Sequence, residues 1–186
     1  MNTFFHRLPG KPVSVATGQR LLRIFWPQFK EMNGCVFLGF QCSGGPITEL
    51  ADGKTETECF VNHTHIFDEF RNRATSEQKD HVAKDFDVVE NSYDDKHPDF
   101  IAACEIGMTI ASMWALKLKV DFPGDRFRVY YTQYDNPIVR FHKVRPTEPV
   151  WLSDEAVRDA TAPTLRGAIV YDTEYPNSPI TNSGHM

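Results

Sequence analysis

Residues 98–118 read PDFIAACEIGMTIASMWALKL, and the reading of this stretch decides the fold. Pro98 suits the first turn of a helix, where its missing N–H is not needed. Polar positions are few. Glu105, Thr109, Ser112 and Lys119 fall on one thin stripe at helical spacing. Ala103, Gly107, Ala111 and Ala115 recur every fourth residue, a ridge without bulk that lets a neighbouring backbone come close. A helix this apolar all round is either the centre of a core or a membrane span. Its length matches the ~20 residues of a span. Glu105 would then lie at membrane depth, at a cost of a few kcal/mol, and both flanks are charged. The core reading is therefore preferred, with strands curled about the helix.

The segments on either side supply those strands. Downstream, RFRVYYTQYDNPIVRFHKVR (126–145) reads as a hairpin. Phe127, Val129 and Tyr131 share one face of its first strand, and Val139 and Phe141 share one face of its second. A two-residue loop would set Tyr131 against Arg140. A three-residue loop, Tyr134-Asp135-Asn136, sets Val139 against Tyr131 and Phe141 against Val129, and hydrophobic patterning selects that register. The other face then carries Arg126, Arg128, Tyr130, Arg140 and His142.

Upstream, RLLRIFWPQFKEM and CVFLGFQC flank Asn33-Gly34, the strongest short hairpin signal there is. Pro27 marks the first of these strands as an edge or a bulge. TECFVNH (57–63) reads as a third short strand, and IFDEFRNRA (66–74) as about two helical turns. EQKDHVAKDFDVVE (77–90), opened by Ser76, reads as an acidic helix with a narrow apolar stripe. Ser153-Asp154-Glu155 starts a short helix, and AIVY (168–171) reads as a strand. The expected fold is α+β: an antiparallel sheet of about five strands, built from two hairpins and a short strand, packed on the central apolar helix 98–118. Residues 1–19, with two prolines and two glycines, suggest an extended arm, 20–160 a single domain, and 161–186 an extended tail whose last ten residues are mobile.

Composition bounds the function. The chain has 186 residues, 41% of them hydrophobic and 12% aromatic, so it can bury a core without disulfides or metals. Four cysteines form no CxxC pattern and read as small core residues in a reducing compartment. No apolar run near the start resembles a signal peptide, which points to the cytoplasm. Net charge is −5, which argues against general nucleic-acid binding. The charge is uneven: residues 46–99 hold 14 acids and 6 bases, whereas 117–145 hold 7 bases and 3 acids. No GxGxxG, Walker or GxSxG pattern occurs.

One short motif invites chemistry. Residues 58–68 read ECFVNHTHIFD. An HxH pair on a strand points both imidazoles to the same side, and such a pair can grip a metal such as zinc, with Cys59 and Asp68 as further ligands. His63-Thr64-His65 resembles the first metal-binding pair of the amidohydrolases. That family builds its site on a full barrel of eight βα units, for which this chain is too short, so the assignment is rejected. The alternative is a polar strand-to-helix junction capped by Asn62 or Thr64.

Two functional expectations follow. The first is a small soluble binding or accessory protein that meets a protein partner through its acidic helical face and needs no cofactor. On this view the basic hairpin residues Arg126, Arg128, Tyr130, Arg140 and His142 take a small anionic ligand. The second is a small hydrolase, lyase or isomerase with His63 and His65 at a pocket, a divalent metal there, and Glu105 orienting a histidine.

Overall fold

The computed structural model describes residues 15–42, 47, 53–66, 96, 98–133, 136–158, 165, 167–175 and 179–181, apart from the side chains of Thr17, Arg20, Pro98 and Asp99. Among these residues eleven elements follow in order: α1 (Val15–Phe25), β1 (Phe29–Met32), β2 (Cys35–Leu38), α2 (Lys54–Val61), β3 (Thr64–His65), α3 (Pro98–Asp121), β4 (Phe127–Thr132), β5 (Ile138–Lys143), α4 (Asp154–Arg158), β6 (Ile169–Asp172) and β7 (Ile180–Thr181). Five strands form one antiparallel sheet in the order β3-β5-β4-β6-β7, while β1 and β2 pair apart as a two-stranded sheet. The architecture is α+β, with the apolar α3 packed against the five-stranded sheet.

The small-residue ridge of α3 makes that packing close. Ala103, Gly107, Ala111 and Ala115 are all buried, while Glu105, Thr109 and Lys119 face solvent. Trp114, Ile110 and Leu118 meet Phe127, Val129, Tyr131, Val139 and Phe141 from the sheet. Trp114 packs edge-on to Phe141 and donates its indole N–H to the Ile24 carbonyl at 2.7 Å, which ties α1 to α3. At Gly107 an added Cβ would lie 2.7 Å from the Tyr131 ring, closer than carbon atoms approach.

Glycine-to-alanine changes at two helical sites should therefore act in opposite directions. Gly18 on α1 has open space where a Cβ would go, and Gly18→Ala should stabilise by about 0.5–1 kcal/mol. Gly107→Ala should destabilise by about 1–3 kcal/mol, because overpacking outweighs helix propensity. Urea denaturation of the two variants checks this, and a shared sign would contradict the packing.

The hairpin register is as the apolar pattern requires: Val139 lies opposite Tyr131 and Phe141 opposite Val129. The ladder stops at Thr132–Ile138, so the connection between strand ends is longer than three residues. In the first hairpin the turn is Asn33-Gly34, with φ of 55° and 76°, the two positive values that a type I′ turn needs. AIVY lies within and just before β6, and the short helix after Trp151 is α4.

Two segments fold otherwise than expected. The sequence pattern suggests a strand over 20–26 and an extended arm over 15–19, yet all of these residues belong to α1 or its end. Ile24 faces the core, and Pro27 closes the helix, since the residue before a proline disfavours helical geometry. TECFVNH is the second correction. Residues 57–61 lie in α2, and only Thr64 and His65 join the sheet. Alternating Thr and Glu imitates a strand, but tertiary partners select the helix. Glu148 accepts the Thr55 N–H at 2.6 Å, an anion on the helix N-terminus.

Glu58 on α2 and Asn62 at its C-terminal cap reach β2. They accept the Val36 and Leu38 N–H groups at 2.6 and 2.9 Å. The Asn62 amide donates to the Val36 and Phe141 carbonyls. Side chains thus complete the ladder between the small sheet and β5. The acidic segment 77–90, residues 67–74 with Asp68, His97, residues 1–14 and residues 182–186 lie outside the described residues.

Candidate functional site

The face of the sheet away from α3 holds the basic hairpin residues, and it is covered. Arg128, Tyr130 and His142 are buried, and a second small core of Cys59, Tyr130, Val157, Ala168 and Val170 closes over it with Trp151 and Leu152. Register places the side chains in rows. Arg140 lies opposite Tyr130, which lies opposite Val170. Thr64 pairs with Val139 and His65 with Ile138, so the same register extended by one residue sets His63 across from Arg140. His63 and His65 therefore share this face with Arg140, Tyr130 and His142.

Most of the polar groups here satisfy one another. The Arg126 guanidinium donates to Asp172 at 2.6 and 3.0 Å and pairs with Glu174 at 3.1 Å. Arg128 pairs with Asp154 and Asp172 and donates to the Leu152 carbonyl. The His142 Nδ1–H donates to its neighbour's carbonyl, Lys143, at 2.9 Å. That bond leaves Nε2 to accept the Tyr130 hydroxyl at 2.8 Å. Burial, with Arg145 and Arg128 nearby, brings His142 down to about 4, against a smaller upward pull from the Lys143 carbonyl. These four residues make a closed structural network, and the two arginines already have carboxylate partners.

A second group is not closed. Buried nitrogens without a hydrogen-bond partner occur on three adjoining side chains: His63 Nε2, His65 Nδ1 and Arg140 Nε. They are three of the five such side-chain atoms among the described residues. The two imidazoles lie with ring centres 4.3 Å apart. The Arg140 guanidinium lies 4.2 Å from the Trp151 ring centre, a cation–π contact. Burial, then the charges of Arg140 and His65, bring His63 down to about 4, so its ring is neutral at pH 7. Burial also lowers Arg140, although a guanidinium stays charged in proteins. Gln41 braces the approach to β3 by donating to the His63 carbonyl and the Thr64 hydroxyl.

The structure brings together His63, His65, Arg140, Tyr130 and His142, but not Glu105. That residue is exposed on α3, on the opposite side of the sheet. Cys59 is buried in the second core, where burial pushes its thiol well above the ordinary value and keeps it protonated. Asp68 lies outside the described residues. Among the described residues no three His, Cys, Asp or Glu side chains converge as a metal site.

Sequence reasoning missed Trp151, whose ring covers Arg140, and missed that only Arg140 of the three face arginines lacks an ion-paired carboxylate among the described residues. No local signal separates Arg140 from Arg128, because the acids that neutralise Arg128 come from α4 and β6. Comparison with family models, with curated proteins and with solved structures finds no match to this chain.

Proposed function

We propose that this protein works by binding, and that His63, His65 and Arg140 form its site for a small anionic ligand. One observation carries the reading: three buried, unpartnered nitrogens sit on adjoining side chains, one of them in a guanidinium that has no carboxylate partner among the described residues. Native proteins leave few buried polar groups unpaired. Here the unpaired groups include an Arg140 N–H and two imidazoles that can donate, and an anion satisfies donors. The three side chains keep some surface open to solvent, while the three nitrogens lie beneath it.

Calorimetric titration with sodium acetate, sulfate and phosphate, against sodium chloride at equal ionic strength, tests the reading. At least one anion should bind and raise the melting point, by about 1.4 kcal/mol of stabilisation at tenfold excess over Kd. Arg140→Gln should weaken that binding tenfold or more, because a hydrogen bond to a charged group is lost. Binding that is unchanged in a folded Arg140→Gln, or no binding of any anion, would contradict it.

A role in contact with a protein partner is the second reading, with the cytoplasm as its setting. Val15, Leu22 and Trp26 on and just after α1 are exposed at helical spacing, and such an apolar stripe is unusual without a partner. The acidic segment expected to make that contact lies outside the described residues.

A further inference from the structure

We infer that the anion taken by His63, His65 and Arg140 is a monocarboxylate, held in the plane of the guanidinium by the Nε edge of Arg140. This inference rests on the anion-binding reading above and narrows it to a chemical class.

The first support is directional. The unpartnered buried atom of Arg140 is Nε. An Nε–H and the Nη–H beside it form a planar fork that matches the two oxygens of a carboxylate. One face of the guanidinium is already taken by Trp151 at 4.2 Å. A ligand that meets this group therefore comes to its edge, where a planar carboxylate makes two parallel bonds.

The second support is charge. Arg126 and Arg128 are committed to Asp172, Glu174 and Asp154, and Arg145 to Glu58. His63 is neutral at pH 7. Arg140 thus brings one positive charge, which a monoanion neutralises. Doubly charged sulfate or hydrogen phosphate would leave a negative charge half-buried, and an uncompensated buried charge is strongly unfavourable. The third support is the surroundings. Ile138 lies beside His65 on the same face, and the buried His63 and His65 nitrogens can bond a carboxylate oxygen or a polar substituent next to it.

The test is selectivity in the wild-type protein at pH 7 and fixed ionic strength. Acetate should bind at least tenfold more tightly than sulfate or phosphate. Arg140→Lys keeps the charge but loses the fork, and acetate affinity should fall tenfold or more. N-acetyltriglycine separates two sources of the carboxylate. Tighter binding than acetate assigns it to a chain terminus and weaker binding to a free acid, and both outcomes support a carboxylate site. Sulfate or phosphate binding as tightly as acetate would overturn the inference and leave the anion site standing. An Arg140→Lys variant that keeps its acetate affinity would overturn the edge-on fork. No binding by any of the four would overturn the inference and the anion site together.

Discussion

Replacing Glu58 with alanine is expected to cost about 3–5 kcal/mol of folding stability, the range for removing one partner of a buried ion pair. The Glu58 side chain is fully buried, and each of its oxygens has two partners. Oε1 accepts the Val36 N–H at 2.6 Å and Arg145 Nη2 at 2.9 Å. Oε2 accepts the Lys143 N–H and Arg145 Nη1, both at 2.8 Å. Alanine would leave two backbone donors unpaired and a guanidinium that is only 10% exposed without its counter-charge.

The loss is not confined to α2. Arg145 also donates to the Gly34 carbonyl in the turn between β1 and β2. Among the described residues the first hairpin is held to the main sheet through these side chains, through Asn62 and through the packing of Phe29, Val36 and Leu38 in the core, not through a strand ladder. Glu58→Gln should also destabilise, since its amide turns a donor toward donors. Urea denaturation measures the change. A cost below about 1 kcal/mol for Glu58→Ala would mean that the hairpin docks by other means.

Acid should weaken the protein well before its carboxylates titrate. His142 stands at about 4 in the fold because of burial, against about 6.5 in an unfolded chain. Between these values the unfolded chain binds a proton that the folded chain refuses. Stability is therefore fully present above about pH 6.5, and it falls as pH drops toward 4. From pH 7 to pH 5 His142 alone should cost about 2 kcal/mol, and about 3 kcal/mol by pH 4.

The groups that face His142 fit this direction. Arg128 and Arg145 oppose a second positive charge, the Tyr130 hydroxyl already occupies Nε2, and only the Lys143 carbonyl and Glu148 favour protonation. His63 shifts the same way but is partly exposed, so solvent screening makes its share smaller. Denaturation curves at pH 7 and pH 5 for the wild type and His142→Gln check the assignment. The slope should flatten in the variant, and an unchanged slope would place the titration elsewhere.

What the sequence made legible follows the range of the interactions involved. The helix of residues 98–118 and its ridge of small residues are visible because nearly every position is apolar, and the ridge marks the side that meets the sheet. The Asn33-Gly34 turn and the register of β4 with β5 are local pairings with local rules. Residues 54–61 were illegible because their fate depends on Val36, Leu38, Arg145 and Glu148, all far along the chain. The run RLLRIF misled for a related reason, since its aromatic and branched residues suit a strand and only the contact with Trp114 shows a helix.

The site was half legible. His63 and His65 stand out by spacing, and Arg140 by the basic hairpin face. That Arg140 rather than Arg128 meets the histidines depends on how β3 pairs with β5 and where Asp154 and Asp172 fall. None of these relations is written in a short window of residues.

On the proposed reading, the unpaired Arg140 Nε–H receives a ligand's oxygen. Nitrogen-15 NMR of the arginine Nε–H groups reads that donor directly. On addition of acetate at constant ionic strength, the Arg140 signal should move downfield and its exchange with water should slow, while those of Arg126 and Arg128 stay in place. An Arg140 signal that does not respond to acetate, or that moves no more than those two, would contradict the account.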